Sequence, residues 1–160
     1  MSSVLLVDDD RVQQLVISKM LLISGFNVIV ANDGVEALEK IHCYCPTLVI
    51  LDIVLHKMNG YEVCRRLKKN KETQSIPVIM FSAKSEEIDF YWGSKQGADA
   101  YVSKLSHPQL LIDTVNQLLQ PLRIMSRAKD TEMRSALTLE DSLTLRDRSS
   151  ADARTLLSLR

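Results

Sequence analysis

The chain has 160 residues, 46% of them hydrophobic, with 20 Lys+Arg set against 20 Asp+Glu for a formal net charge of zero. Balanced charge excludes a generic electrostatic grip on nucleic acid or anionic lipid, and the hydrophobic fraction excludes both a disordered chain and a membrane bundle. Three cysteines are too few for a disulfide scaffold, and no apolar run could span a bilayer or form a signal-peptide core, so a soluble cytoplasmic protein with free thiols is expected.

The first predicted strand, Val4-Leu5-Leu6-Val7, runs straight into Asp8-Asp9-Asp10. A helix follows, in which Val12, Val16, Met20 and Ile23 recur at helical spacing and form its expected core face. Val28-Ile29-Val30 is a second strand, and Val35, Leu38 and Ile41 mark a second helix. At the end of that helix, His42-Cys43-Tyr44-Cys45 is too tightly spaced for the usual zinc patterns and reads as structural thiols. A third strand, Leu48-Val49-Ile50-Leu51, ends in Asp52. Val63 and Leu67 mark a third helix, and its basic run Arg65, Arg66, Lys68, Lys69 and Lys71 reads as a solvated end that complements the helix dipole. A fourth strand, Val78-Ile79-Met80-Phe81, ends in Ser82.

The fourth helix carries Phe90-Tyr91-Trp92. Successive helical residues point ~100° apart, so three rings in a row cannot all face one core. At least one should be exposed, which favours a docking surface over simple packing in a helix–strand groove. Ala100-Tyr101-Val102 is a weaker fifth strand, followed by Lys104. His107 and Pro108 open the last helix, marked by Leu111, Val115 and Leu118.

Four of the strands are apolar without alternation, as when both faces of a parallel sheet are covered. Strand and helix alternate five times, which predicts an α/β fold with a doubly wound five-stranded parallel sheet. Every Gly, Pro and aromatic residue falls within residues 1–122. The expected organisation is therefore one domain over 1–122 and a short C-terminal extension over 123–160. That extension is either disordered or a short docking element. It contains a near-repeat, Leu137–Ser142 and Leu143–Arg148, but no convincing helix-turn-helix, so direct DNA binding is not expected.

In such sheets ligands sit beyond the carboxyl ends of the strands. This topology gathers Asp8, Asp9, Asp52, Ser82 and Lys104 at one edge. Carboxylates pushed together without a counter-charge repel one another. A hard divalent cation removes that difficulty, and a few carboxylates plus water suit Mg²⁺. Carboxylates, a hydroxyl and an ammonium around one point can stabilise a transferring phosphoryl group, and an Asp can itself be the nucleophile.

The words Val7-Asp8-Asp9, Leu51-Asp52 with Met58-Asn59-Gly60, Ser82-Ala83-Lys84, and Gly97-Ala98-Asp99-Ala100-Tyr101 with Lys104 stand in order, each at a strand end. In these words the chain resembles the CheY-like receiver domains of two-component response regulators, a flavodoxin-like (βα)₅ fold. The segment 91–101 is more narrowly similar to the PilH and PixH type of pilus-motility and phototaxis receivers.

The resemblance implies that Asp52 accepts a phosphoryl group from a sensor histidine kinase or phosphotransfer protein. It implies that Asp8, Asp9, Asp52 and the Val54 backbone carbonyl hold Mg²⁺, that Ser82 and Lys104 meet the phosphoryl group, and that Ser82 and Tyr101 act as a switch. The output would be a protein partner, or a second copy of the chain, at the face of the fourth helix, fifth strand and fifth helix, with Phe90, Tyr91, Trp92 and Tyr101 on it.

Two departures from the family pattern stand out. Leu105 follows Lys104 where the family usually has a cis-linked Pro, which leaves the isomer of that bond open. His56 replaces the usual Pro after the third strand, so that loop is expected to be looser. Val54 and Lys84, which flank the path of hydrolytic water in this family, offer it no acceptor, and slow autodephosphorylation is expected. Two rivals are a phosphorylation-independent adaptor and a phosphatase of haloacid-dehalogenase type using Asp8 and Asp10.

Overall fold

The computed structural model describes residues 1–84 and 86–120; the expected extension over 123–160 lies outside them. Strand and helix alternate from end to end: β1 (Ser3–Val7), α1 (Arg11–Ile23), β2 (Asn27–Ala31), α2 (Gly34–Tyr44), β3 (Leu48–Leu51), α3 (Gly60–Lys69), β4 (Val78–Ser82), α4 (Glu87–Lys95) and β5 (Ala100–Ser103). A last helix, α5, runs over 108–120. All strand pairs are parallel, in the order β2-β1-β3-β4-β5. This is the doubly wound α/β sheet that the alternation predicts. The strand order reverses at β1, which opens a crevice beyond the carboxyl ends of β1 and β3.

Side chains alternate across each strand, so every strand supplies two cores. Val4, Leu6, Ile50 and Ile79 pack with Ile17 and Leu21 of α1 and with Leu111, Val115 and Leu119 of α5. Leu5, Val7, Leu51 and Met80 face the other way, onto Ala37 and Ile41 of α2 and Val63, Cys64 and Leu67 of α3. Burial of both faces is why these strands read as unbroken apolar runs. Helix starts are fixed by side-chain caps: Asp10 accepts from the Val12 and Gln13 amides, Asp33 from Val35 and Glu36, and Asn59 from Glu62.

The expected core face of α1 is reversed. Val12, Val16 and Ile23 are 71%, 51% and 79% exposed, while Gln14, Ile17 and Leu21 are buried. Ile17 and Leu21 are themselves four apart, so α1 carries two apolar stripes and periodicity alone cannot choose between them. Met20 lies between the two and packs at the margin of the core.

A second correction concerns the thiols. Cys43 and Cys45 are exposed and only Cys64 is buried, so the His42–Cys45 cysteines are not structural. The inner side of α2 is carried by Gly34, Ala37 and Ile41 instead. Of the basic run at the end of α3, Arg65, Arg66, Lys69 and Lys71 are exposed as expected, but Lys68 is half-buried, its Nζ bonded to Asp99 Oδ2 and the Ile76 carbonyl. Among the described residues no helix is long and apolar enough to cross a membrane.

Candidate functional site

β1 delivers the first carboxylates because pairing ends just after Val7. The Asp8 amide still donates to the Ala31 carbonyl at 3.2 Å, and the chain then leaves the sheet to start α1. The Asp52 amide donates to the Val7 carbonyl at 3.0 Å, which sets the end of β3 beside it. Gly60 opens α3 directly behind Asp52: a Cβ there would stand 2.1 Å from the Asp52 carbonyl oxygen, so only glycine permits this approach. Ser82 closes β4, and its carbonyl accepts from the Lys104 amide at 2.9 Å.

Among the described residues no peptide bond is cis, so Lys104–Leu105 is trans, as a bond before a non-proline residue favours. The Leu105 amide, which a proline would lack, donates to Ser103 Oγ at 3.1 Å.

These elements enclose a cleft of about 330 Å³ lined by Asp8, Asp9, Asp52, Val54, Ser82 and Lys104, with Lys84 at its rim. Carboxylate oxygens of Asp8, Asp9 and Asp52 lie within 4.8 Å of one another, the only such cluster of acidic, His or Cys side chains among the described residues. Lys104 Nζ donates to Asp8 Oδ2 and to Asp52 Oδ2, each at 2.7 Å. The second Asp52 oxygen, Oδ1, accepts from the Val54 amide at 3.2 Å.

Burial raises the Asp8 carboxyl above its usual range, and the Lys104 ammonium and Asp10 amide offset this only in part. For Lys104, burial works against the charge, yet the bonds to Asp52 and Asp8 outweigh it and hold the ammonium above its usual value. Three carboxylates thus face one ammonium. Their donors are all oxygens and their charge is in excess, which fits a hard divalent cation such as Mg²⁺.

The proposed switch residues lie at one side of this cleft. Ser82 is 1% exposed, and its Oγ accepts from the Lys84 amide at 3.5 Å. The Tyr101 hydroxyl donates to the Lys84 carbonyl at 2.6 Å. Burial, with Tyr61 and Asp89 nearby, pushes the Tyr101 phenol up to about 12. Its ring packs on Phe90, with centroids 4.4 Å apart. Residues 82–84 therefore join the cleft to the α4–β5 surface, where Phe90, Tyr91 and Trp92 are all exposed.

Other residues of the site are absent from the sequence reading. Gln14 is buried, and its side-chain amide donates to the Asp8 carbonyl, to Ala31 O at 3.3 Å and to Asn32 Oδ1 at 3.1 Å, which ties α1 to the ends of β1 and β2. The loop after β3 is tied rather than loose. His56 Nδ1 meets Asp9 Oδ2 at 2.8 Å, and Lys57 Nζ meets Asp33 Oδ2 at 2.6 Å. Neither contact leaves a periodic trace in sequence. A polar residue on the Ile17–Leu21 stripe of α1 was the one available signal for Gln14.

The family described as the response regulator receiver domain matches residues 4–116. The chain is 35% identical over 147 residues to the alkaline phosphatase synthesis transcriptional regulatory protein PhoP of Bacillus subtilis, covering 90% of this chain and 60% of that protein. It is 34% identical to protein PilH of Pseudomonas aeruginosa, over 74% of this chain and 98% of PilH. The chain therefore spans little more than half of the transcriptional regulator but nearly the whole of PilH. Among solved structures, the chemotaxis protein CheY4 of Vibrio cholerae superposes with a TM-score of 0.70 at 27% identity, over 74% of this chain and 99% of that one.

Proposed function

The chain belongs to the response regulator receiver family, and from that premise we propose that Asp52 is its phosphoryl acceptor in a two-component relay. The observation that carries this reading is Lys104 Nζ, 2.7 Å from both Asp52 and Asp8 in a cleft also lined by Asp9 and Asp10. In the transfer, an Asp52 carboxylate oxygen bonds to phosphorus as the bond from phosphorus to an imidazole nitrogen of the donor's phosphohistidine breaks. The bonding pair stays with that nitrogen. Lys104 would move from the two carboxylates to a phosphoryl oxygen, and the Ser82 hydroxyl would donate to another. Asp8, Asp9, Asp52 and the Val54 carbonyl would hold Mg²⁺, whose chemistry there is neutralisation of phosphoryl charge.

The phosphodonor, a sensor histidine kinase or phosphotransfer protein, would meet the rim at α1, where Val12, Leu15 and Val16 are exposed beside the Asp10 cap. Movement of Ser82 toward the phosphoryl group would shift the Tyr101–Lys84 contact. The α4–β5–α5 surface then changes its partner affinity, a two-state equilibrium biased by a local charge. The partner is a protein, or a second copy of the chain, and the setting is cytoplasmic. Chemistry is limited to self-phosphorylation and slow hydrolysis, since neither Val54 nor Lys84 can accept a proton from attacking water. The Asp10 carboxylate is spent on capping α1, which argues against the Asp8–Asp10 phosphatase.

A second reading has one observation in its favour: the similarity to PhoP runs over 147 residues, beyond the receiver match. On that reading the output is transcriptional, and DNA binding would depend on Asp52. The test is addition of beryllofluoride and Mg²⁺ with Trp92 emission as readout, together with the lifetime of the acyl phosphate formed from acetyl phosphate. Saturable response in wild type and none in Asp52→Asn, with a lifetime of minutes or longer, supports the proposal. An equal response in Asp52→Asn leaves only the phosphorylation-independent adaptor. A lifetime of seconds contradicts slow hydrolysis.

A further inference from the structure

The function above gives no role to Gln14. It is a polar side chain on the buried stripe of α1 that also carries Ile17 and Leu21, and it is 8% exposed. A buried amide is unfavourable unless its hydrogen bonds are made, and an apolar residue would fill the stripe without that requirement. The bonds of Gln14 therefore indicate its purpose. All three acceptors of its Nε2 lie at the carboxyl ends of β1 and β2: the Asp8 carbonyl, the Ala31 carbonyl at 3.3 Å and Asn32 Oδ1 at 3.1 Å.

The Asp8 carbonyl belongs to the peptide unit that joins Asp8 to Asp9. The unit before it is held as well, because the Asp8 amide donates to the same Ala31 carbonyl at 3.2 Å. A planar peptide unit carries the Cα atoms at both its ends, so fixing these two units fixes where the Asp8 and Asp9 side chains leave the backbone. The third acceptor, Asn32, is itself anchored to α2: Glu36 Oε2 accepts from its backbone amide at 2.7 Å and from its side-chain amide at 2.9 Å.

The carboxylates of Asp8, Asp9 and Asp52 repel one another within their 4.8 Å cluster, and a free backbone after β1 would relax to part them. We propose that Gln14 is a positioning residue for divalent-cation binding, an inference that rests on the reading that Asp8, Asp9 and Asp52 hold such an ion. By gripping the Asp8 carbonyl, Gln14 holds the Asp8 and Asp9 carboxylates in the cleft before the ion arrives. The ordering is then completed on folding and is not drawn from the free energy of binding. Loss of Gln14 should therefore appear in Mg²⁺ affinity, and far less in the rate of transfer once Mg²⁺ is saturating.

The test is an Mg²⁺ titration of the isotope-labelled full chain followed by NMR, in wild type, Gln14→Met, Ile17→Val and Asp9→Asn. Methionine keeps the length of glutamine and removes its donors. Ile17→Val thins the same stripe without touching an acceptor. We expect Gln14→Met to weaken Mg²⁺ binding by about tenfold, the lower end of the range for groups that orient metal ligands, and Ile17→Val to stay within about twofold of wild type. With acetyl phosphate, the half-saturating Mg²⁺ concentration should rise by about the same tenfold, while the labelling rate at saturating Mg²⁺ falls by about threefold or less. In wild-type protein the Gln14 side-chain amide protons should exchange slowly without Mg²⁺ and should shift as it is added, a readout that needs no variant to fold. Unchanged Mg²⁺ affinity in Gln14→Met would overturn the proposal, as would an equal loss in Ile17→Val, a loss confined to the saturated rate, or Gln14 resonances that do not respond to Mg²⁺. Failure of the underlying reading looks different: Asp9→Asn would then bind Mg²⁺ as wild type does.

Discussion

The inner faces of α1 and α3 serve the same purpose on opposite sides of the sheet, Ile17 and Leu21 in one core cluster, Val63 and Leu67 in the other. Their outer faces differ. α3 shows solvent Glu62 bridged to Arg65 and Arg66, a charged surface complete in itself. α1 shows Val12, Leu15, Val16, Leu22 and Ile23, all at least half exposed. Folding gains nothing from apolar side chains left in water, and a contiguous apolar patch of that kind marks an interaction surface. Only α1 starts at the rim of the acidic cleft, through Asp10. Under the proposed function, the difference would separate a face complete in solvent from one that receives the phosphodonor.

The strongest way to break this comparison is a pair of truncations. Leu67→Ala, from a residue 1% exposed, should cost about 2–5 kcal/mol in denaturant unfolding. Leu15→Ala, from one 71% exposed, should stay within about 0.5 kcal/mol. Comparable losses would mean that the outer face of α1 is structural after all.

Function should invert that order. Leu15→Asp should slow phosphotransfer from a phosphohistidine donor by about 10–100-fold, the scale of an interface anchor, and leave labelling by acetyl phosphate unchanged. Arg65→Ala on α3 should alter neither. Loss of both labelling routes in Leu15→Asp would place its effect in the cleft rather than in docking.

A smaller effect separates the solvated charges of α3 from the buried ones of the cleft. Burial holds Asp8 above its usual range, so the folded protein retains that proton more readily than the unfolded chain. This destabilises the fold as pH rises from about 4, the usual Asp value, through the raised folded value. Asp8→Asn should therefore be more stable than wild type at pH 7, with the gain shrinking toward zero near the usual Asp value. Thermal unfolding at the two pH values measures it. Glu62→Gln on α3 removes a carboxylate that its Arg neighbours hold below the usual range, and should have the opposite sign.

The strands were legible because Val and Ile runs covered on both faces leave little ambiguity, and the cleft was legible because it consists of whatever follows those strands. Asp8, Asp9, Asp52, Ser82 and Lys104 needed only the topology to meet. α1 was misread for a physical reason: with an apolar stripe on each side, its period fits two orientations, and the choice falls to how Ile17, Leu21 and the polar Gln14 fit the sheet. That at least one of Phe90, Tyr91 and Trp92 is exposed followed from helical geometry; that all three are did not. The ties made by His56 and Lys57 did not, because loop contacts depend on tertiary placement that no local pattern encodes.

The central claim is that Asp52, between Lys104 and the paired carboxylates of β1, takes the phosphoryl group. Mass mapping of peptides after treatment with acetyl phosphate and Mg²⁺ tests it most directly. The prediction is one acyl phosphate, on the peptide that contains Asp52, and none in Asp52→Asn. Modification at Asp8 or Asp9 in wild-type protein, or undiminished labelling of the variant, would contradict it.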